Sequence, residues 1–154
     1  MDPETQSEGT SRVAEADAGA RPDAESVLIV VPADADYLPV IRSASAHVAT
    51  RAGCTLPEVA DLRLAVDEAC GLLLRHTVRD ERAGLSGLGD LSCRFVLDAS
   101  ALRVVLSRDA RNAARPQDDE FGWTILSALV DDIQWRVDGP TVHVEILKRR
   151  TAGE

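Results

Sequence analysis

The chain has 154 residues, a formal net charge of −9 and a pI near 4.8. This length suits one domain with a core of its own, and apolar residues make up 45% of it. An acidic surface repels phosphate backbones, so the composition argues against direct nucleic-acid binding and would suit a basic protein partner.

The cysteines and histidines do not predict a disulfide or a metal site. Cys54, Cys70 and Cys93 are odd in number and form no CxxC pair. The histidines fall on three different predicted elements without ligand spacing. No segment reaches the roughly 18 apolar residues that span a bilayer, and the N-terminus lacks the regions of a signal peptide. We therefore expect a cytoplasmic protein that does not enter a membrane.

The chain divides into a predicted tail, residues 1–25, and a predicted domain, residues 26–149. The tail is rich in Ala, Asp, Glu, Gly and Ser and buries too little apolar surface to offset the entropy of ordering, which predicts disorder. The domain opens with a β-branched strand, Val27–Val31, which Pro32 ends. Its later elements are, in chain order, helices over about 37–52 and 56–77, strands 91–97 and 102–106, a helix over 121–132 and a hairpin of strands 133–137 and 142–146.

The second predicted helix has the clearest signals. Thr55 stands at the N-cap position with Pro57 in the first turn and Glu58 at capping-box spacing. The element order β-α-α-β-β-α-β-β pairs hairpins with intervening helices. It predicts an α+β fold, a two-layer sandwich in which helices cover one face of a mixed or antiparallel sheet.

Two of these helices carry a family resemblance. The second contains LRLAVDEAC, residues 62–70, and the third reads FGWTILSALVDD, residues 121–132. Both strings, with their spacing, resemble the RsbW and SpoIIAB anti-sigma factors, especially the UsfX-like branch of the GHKL (gyrase and histidine-kinase type) ATPase superfamily. The resemblance covers about residues 26–148 and implies a GHKL fold and a homodimer, for which Val27–Val31 is a plausible edge.

The resemblance also implies a nucleotide site that this sequence alters. The family has a catalytic glutamate and, four residues later, an asparagine that ligates Mg²⁺ on the ATP phosphates. Glu68 stands at the glutamate position, but Leu72 stands at the asparagine position and offers no oxygen. Glu68 is therefore either a surviving base or a solvated helix residue, and Leu72 is most simply a core residue.

The other motifs of that nucleotide site are incomplete. Asp109 follows the predicted strand that contains Leu106. It either takes the place of the family's adenine-binding aspartate or is an ordinary loop residue. Gly122 stands at the position of one of the family's phosphate-binding glycines, and it either keeps that role or serves packing alone. Glu120 stands where another of these glycines belongs. The intervening lid, residues 112–119, is short. We expect the binding of ATP and Mg²⁺ to be weakened or lost.

Three functions follow from the resemblance. The first is an anti-sigma factor that sequesters an alternative sigma factor and releases it to a STAS-domain anti-anti-sigma protein. The second is an enzyme, an ATP-dependent serine/threonine kinase that phosphorylates that antagonist, with Glu68 as the catalytic base. The third is a module that binds ATP without chemistry.

Overall fold

The computed structural model describes residues 24–76, 89–109 and 121–150. The predicted tail lies outside them except for its last two residues, and the second of these, Glu25, begins the first strand. The predicted lid and Glu120 also lie outside the described residues. The helices and strands are β1 (Glu25–Pro32), α1 (Leu38–Arg51), α2 (Leu56–His76), β2 (Asp90–Leu97), β3 (Ala101–Asp109), α3 (Phe121–Leu129), β4 (Asp132–Asp138) and β5 (Thr141–Arg149).

The strands form one five-stranded sheet in the order β1-β2-β3-β5-β4. Every neighbouring pair is antiparallel. The predicted α+β fold is confirmed, and the sheet is antiparallel rather than mixed. Strands β1 and β4 are its two edges.

One face of the sheet is buried under the helices. Side chains alternate between the two faces of a strand, and the buried positions of β2, β3 and β5 are every second residue. The core joins this face to the apolar sides of α1 and α2 and to one side of α3. The buried apolar residues at these alternate positions are Leu91, Cys93, Phe95, Leu97, Leu102, Val104, Leu106, Val142, Val144 and Ile146.

A local signal sets the start of α2 as the sequence indicated. The hydroxyl of Thr55 accepts a hydrogen bond from the amide of Glu58 at 3.3 Å, and a Glu58 carboxylate oxygen accepts from the Thr55 hydroxyl at 3.0 Å. The Thr55 hydroxyl thereby satisfies the amide of Glu58, one of those that the first turn of α2 leaves free. Asp34 caps a single 3₁₀ turn, residues 35–37, by accepting from the amide of Asp36 at 2.9 Å, and α1 follows that turn.

Helix α3 ends earlier than its apolar pattern predicts. The pattern continues to Asp132, whereas the helix stops at Leu129 and β4 begins at Asp132. The amide of Asp131 donates to the carbonyl of Leu147 at 3.0 Å, and its carboxylate accepts from the amide of Arg149 at 2.6 Å. These bonds to β5 turn the chain into the sheet.

Within the described ranges, no helix is long and apolar enough to cross a bilayer.

Candidate functional site

The predicted site residues on the two helices meet where α3 begins. Gly122 is buried in the first turn of α3. A Cβ built on Gly122 would lie 3.3 Å from Glu68 Oε2 and 3.4 Å from Leu72 Cδ2. The structure therefore brings Glu68, Leu72 and Gly122 together, although they are up to 54 positions apart in the chain (122 − 68).

A fourth residue, Arg75, belongs to the same cluster. Its Nη2 lies 3.2 Å from the Cβ position of Gly122. Glu68, Leu72 and Arg75 are spaced i, i+4 and i+7, which places them on one face of α2. That face presents a carboxylate, a methyl group and a guanidinium to the start of α3.

The members of this cluster differ in exposure. Leu72 is 0% exposed and belongs to the hydrophobic core, as its apolar side chain suggests. Glu68 is half-buried and Arg75 is exposed. The charged ends therefore lie at the rim of the helix contact, while the methyl group of Leu72 closes its inner side.

Gly122 permits this close approach of α3 to α2. Contacts of 3.2 to 3.4 Å from an added Cβ are tighter than most side chains accept, so the position favours the absence of a side chain. These contacts leave little room at this point for an added carbon unless the side chain of Glu68, Leu72 or Arg75 moves.

Asp109 is not part of this cluster. It is the last residue of β3, and its carboxylate accepts a hydrogen bond from the Thr141 hydroxyl at 2.7 Å. The neighbouring residue Arg108 is buried on the helix-covered face, so alternation along the strand places Asp109 on the opposite face. Its role as an adenine contact stays a prediction.

The described residues do not fit a Mg²⁺ ion between α2 and α3. Magnesium binds oxygen ligands in near-octahedral geometry, and the described part of the cluster offers the carboxylate of Glu68 beside the methyl of Leu72 and the cationic Arg75. A guanidinium at this place repels a metal cation and attracts an anion. Among the described residues, no group of three or more His, Cys, Asp or Glu side chains could hold a metal ion.

Sequence reasoning missed two arginines. Arg75 could have been found from its spacing, since it lies three residues after Leu72 on the same helical face. Arg108 is 4% exposed on the helix-covered side of β3. Its burial was missed because the predicted strand ended at residue 106, although alternation from Leu106 would place Arg108 on the same face.

An ion pair fixes α2 against α1 one residue before Glu68. Arg42 Nη2 on α1 lies 2.7 Å from Asp67 Oδ1, and Arg42 Nε lies 3.2 Å from the same oxygen. Both side chains are partly exposed, so the pair contributes orientation more than stability. It links α1 to α2 beside Glu68.

A second polar cluster lies on the sheet face away from the helices. Ser107 Oγ and His143 Nδ1 are 2.8 Å apart on the neighbouring strands β3 and β5. Partial burial, together with the positive charge of Arg136, lowers the pKa of His143, although nearby acidic groups oppose the shift. The shift favours the neutral imidazole, whose tautomer sets whether Nδ1 donates to the Ser107 hydroxyl or accepts from it.

Comparison with known proteins agrees with this fold. Residues 31–146 match the family model of the histidine kinase-like ATPase domain. The chain is 32% identical over 85 residues to the serine-protein kinase RsbW of Bacillus subtilis, an alignment that covers 55% of this chain and 50% of that protein. It is 33% identical over 118 residues to the anti-sigma-F factor RsbW of Mycobacterium tuberculosis, covering 74% and 63%.

A solved structure has the same fold. The RsbU and RsbW domains of a Mycobacterium tuberculosis protein match with a TM-score of 0.61 at 15% identity, over 81% of this chain and 32% of that one. The chain spans 50% of the Bacillus subtilis relative's length. The activity and partners of the whole relative are therefore not assigned to this chain by the shared fold. The family model, the RsbW relatives and the antiparallel sheet under three helices establish that this chain belongs to the histidine kinase-like ATPase domain family and is homologous to RsbW proteins.

Proposed function

We propose that the chain is an anti-sigma factor that sequesters an alternative sigma factor and gives it up to a STAS-domain anti-anti-sigma protein. The relative named anti-sigma-F factor RsbW supports this role over 74% of the chain. The net charge of −9 supports it independently, since sigma factors carry basic DNA-facing regions that an acidic surface attracts.

The nucleotide site in this proposal is degraded. The observation that carries this part is the contact of Leu72 and Arg75 with Gly122, at 3.4 and 3.2 Å from its Cβ position. The Leu72 methyl supplies no oxygen to a metal ion, and the Arg75 guanidinium repels a metal cation. In this proposal the chain acts by binding its protein partners and uses ATP in no step.

A co-purification experiment tests the binding role. The full chain is tagged and expressed with each alternative sigma factor of its genome, and the recovered complexes are identified by mass spectrometry. We expect one sigma factor to be retained, and a cognate STAS-domain protein to displace it. The absence of any complex with every such factor would contradict the proposal.

An active kinase is the second candidate, and Glu68 favours it. Its carboxylate is half-buried and faces the start of α3, and several relatives are named serine-protein kinases. The test supplies labelled ATP and a cognate STAS domain to the wild type, to Glu68→Gln and to Asp61→Asn, an exposed carboxylate on the same helix. Transfer that only Glu68→Gln abolishes would establish the kinase. We expect little or no transfer from any of the three.

ATP binding without chemistry would be a third role, and titration calorimetry with ATP and ADP, with and without Mg²⁺, separates it from the first.

The proposal also includes a homodimer, which the family resemblance implies. Exposed apolar side chains on β1, with Leu28 at 42% and Val30 at 51%, support such an association.

A further inference from the structure

The helices leave the sheet partly uncovered at the first half of β1. Val27 lies on the helix-covered side of β1, opposite Phe95 of β2. Phe95 is 1% exposed, whereas Val27 is 45% exposed. Helix α1 contributes His47, Val48 and Arg51 to this place, and of these three residues only Val48 is apolar. The apolar core therefore stays open beside Val27.

The opening is a pocket of about 190 Å³. Its inner walls are the apolar side chains of Val48, Phe95 and Leu97. These three residues are at most 9% exposed, so the walls belong to the close-packed core. In another protein, an apolar cavity of roughly 150 Å³ binds benzene. This pocket therefore has room for one ring or for a short hydrocarbon chain of similar size.

Polar and charged side chains form the mouth of this pocket. Glu25, His47 and Arg51 complete its lining, and all three residues are exposed. Arg51 Nη2 lies 3.1 Å from Glu25 Oε1, and the two side chains are 67% and 56% exposed. His47 and Arg51 are four residues apart on α1, which places them on the same side of the helix. The mouth therefore already holds a carboxylate against a guanidinium, next to an apolar interior.

We propose that this pocket binds a small carboxylate whose other end is a single ring or a short hydrocarbon chain. The apolar end removes Val27 from water, and the carboxylate takes the place of Glu25 on Arg51. A guanidinium binds carboxylates through two parallel hydrogen bonds and stays charged at physiological pH. Because the Arg51–Glu25 pair is exposed and contributes little to stability, an incoming carboxylate replaces Glu25 readily. The site uses α1, β1 and β2, so it is independent of the contact between α2 and α3.

Size and charge distinguish this ligand class from other occupants. Drug-sized ligands occupy pockets of about 300–1,000 Å³, so this pocket is too small for them. A cationic ligand would have to share Glu25 with Arg51, which repels it. Residues 1–23 of the chain contain only Met1 and Val13 as large apolar residues, which suits an apolar interior poorly. A carboxylate with a short apolar tail matches both the interior and the guanidinium at the mouth.

A titration of the full chain, followed by the NMR signals of its valine and leucine methyl groups, tests the site. The ligands added are hydrocinnamate and its uncharged counterpart, hydrocinnamyl alcohol. We expect the methyl signals of Val48 and Leu97 to shift, with a Kd of about 0.1–3 mM for hydrocinnamate and a several-fold higher Kd for the alcohol. Val27→Phe places a ring in the pocket and should abolish the shifts with both ligands. Circular dichroism checks that this variant folds.

Two substitutions at the mouth test the carboxylate contact in opposite directions. Arg51→Gln should raise the Kd for hydrocinnamate about fivefold and leave that for the alcohol unchanged, whereas Glu25→Gln should lower the Kd for hydrocinnamate about twofold. Arg103→Gln is the matched control, because Arg103 also pairs with a glutamate, Glu145, at 3.6 Å, but on the sheet face away from the helices. It should change neither Kd.

Three results would overturn the proposal. The first is a wild type that binds neither ligand at millimolar concentration, as expected if a side chain of a second copy or of a protein partner fills the pocket. The second is an Arg51→Gln variant that binds hydrocinnamate as the wild type does. The third is a set of methyl shifts that persists in a folded Val27→Phe variant.

Discussion

The Cδ2 methyl of Leu72 lies 3.4 Å from the position that a Cβ on Gly122 would occupy. This contact joins the middle of α2 to the first turn of α3. It is the observation on which the proposed loss of the metal site rests.

A larger residue at Gly122 should weaken the fold. Gly122→Val adds two methyl groups and a Cβ against Glu68, Leu72 and Arg75, and overpacking of this kind costs about 1–3 kcal/mol. Thermal unfolding followed by circular dichroism measures the change. Gly71→Ala is the control, because its added Cβ meets only the flexible end of Arg75; it should be neutral or stabilise by up to about 1 kcal/mol through helix propensity. Equal effects of the two substitutions would contradict the close approach.

Restoring an amide at position 72 should not restore a metal site. Leu72→Asn buries a polar group where the leucine is 0% exposed, and it leaves Arg75 beside the position. We expect a loss of stability of about 1–3 kcal/mol and no Mg²⁺-dependent binding of ATP by titration calorimetry. Leu72→Met keeps the volume and the apolar character of the side chain, so it controls for packing. Magnesium-dependent binding by Leu72→Asn would show that Arg75 does not block the site.

Acid should destabilise the sheet through His143. Its pKa is lowered in the folded protein by burial and by Arg136, while Asp138, Asp109 and Glu145 raise it less. A histidine with a depressed pKa contributes stability that is complete above its unfolded pKa of about 6.5 and is lost as the pH falls through the lower folded value. The melting temperature of the wild type should therefore fall more steeply below about pH 6.5 than that of His143→Gln. Parallel curves for the two proteins would contradict this assignment.

The thiols should differ in reactivity. Burial raises the pKa of Cys70 to about 12 and that of Cys93 well above its usual range, and both side chains are at most 1% exposed. Cys54 is partly exposed, with a pKa raised by burial and by Glu58. A disulfide reagent at mild alkaline pH should modify Cys54 slowly in the native protein and all three cysteines after unfolding. Cys54→Ser should abolish the native reaction, and a fast reaction that survives this substitution would contradict the burial of the other two.

Loss of the helix cap should lower stability by a moderate amount. Thr55→Ala removes the acceptor for the amide of Glu58 and should cost about 1 kcal/mol. Thr55→Ser keeps the hydroxyl and should restore most of the stability. Urea unfolding at equilibrium measures both changes, and a Thr55→Ala protein as stable as the wild type would show that the reciprocal bonds are not important for α2.

The sequence predicted those parts of the fold whose signals are local. The Thr55–Glu58 spacing located the start of α2, and the alternation around Phe95 and Val104 located two central strands. The end of α3 was misplaced because bonds from Asp131 to β5 depend on tertiary pairing, which no local pattern contains.

The candidate site was predicted in part for the same reason. The spacing of Glu68 and Leu72 placed them one turn apart, but their contact with Gly122 depends on how α3 docks. Arg75 could have been predicted from helical spacing too, since it lies three residues after Leu72 on the same face of α2. The burial of Arg108 was missed because the predicted strand ended at Leu106, two residues before it.

The most direct test of the account is the affinity of the chain for its sigma factor, measured by titration calorimetry with and without Mg-ATP. A protein that works by binding alone should form the complex with the same Kd in both conditions. A complex that forms only when Mg-ATP is present would contradict it, since the contact of Leu72 and Arg75 with Gly122 would then have to open for a nucleotide.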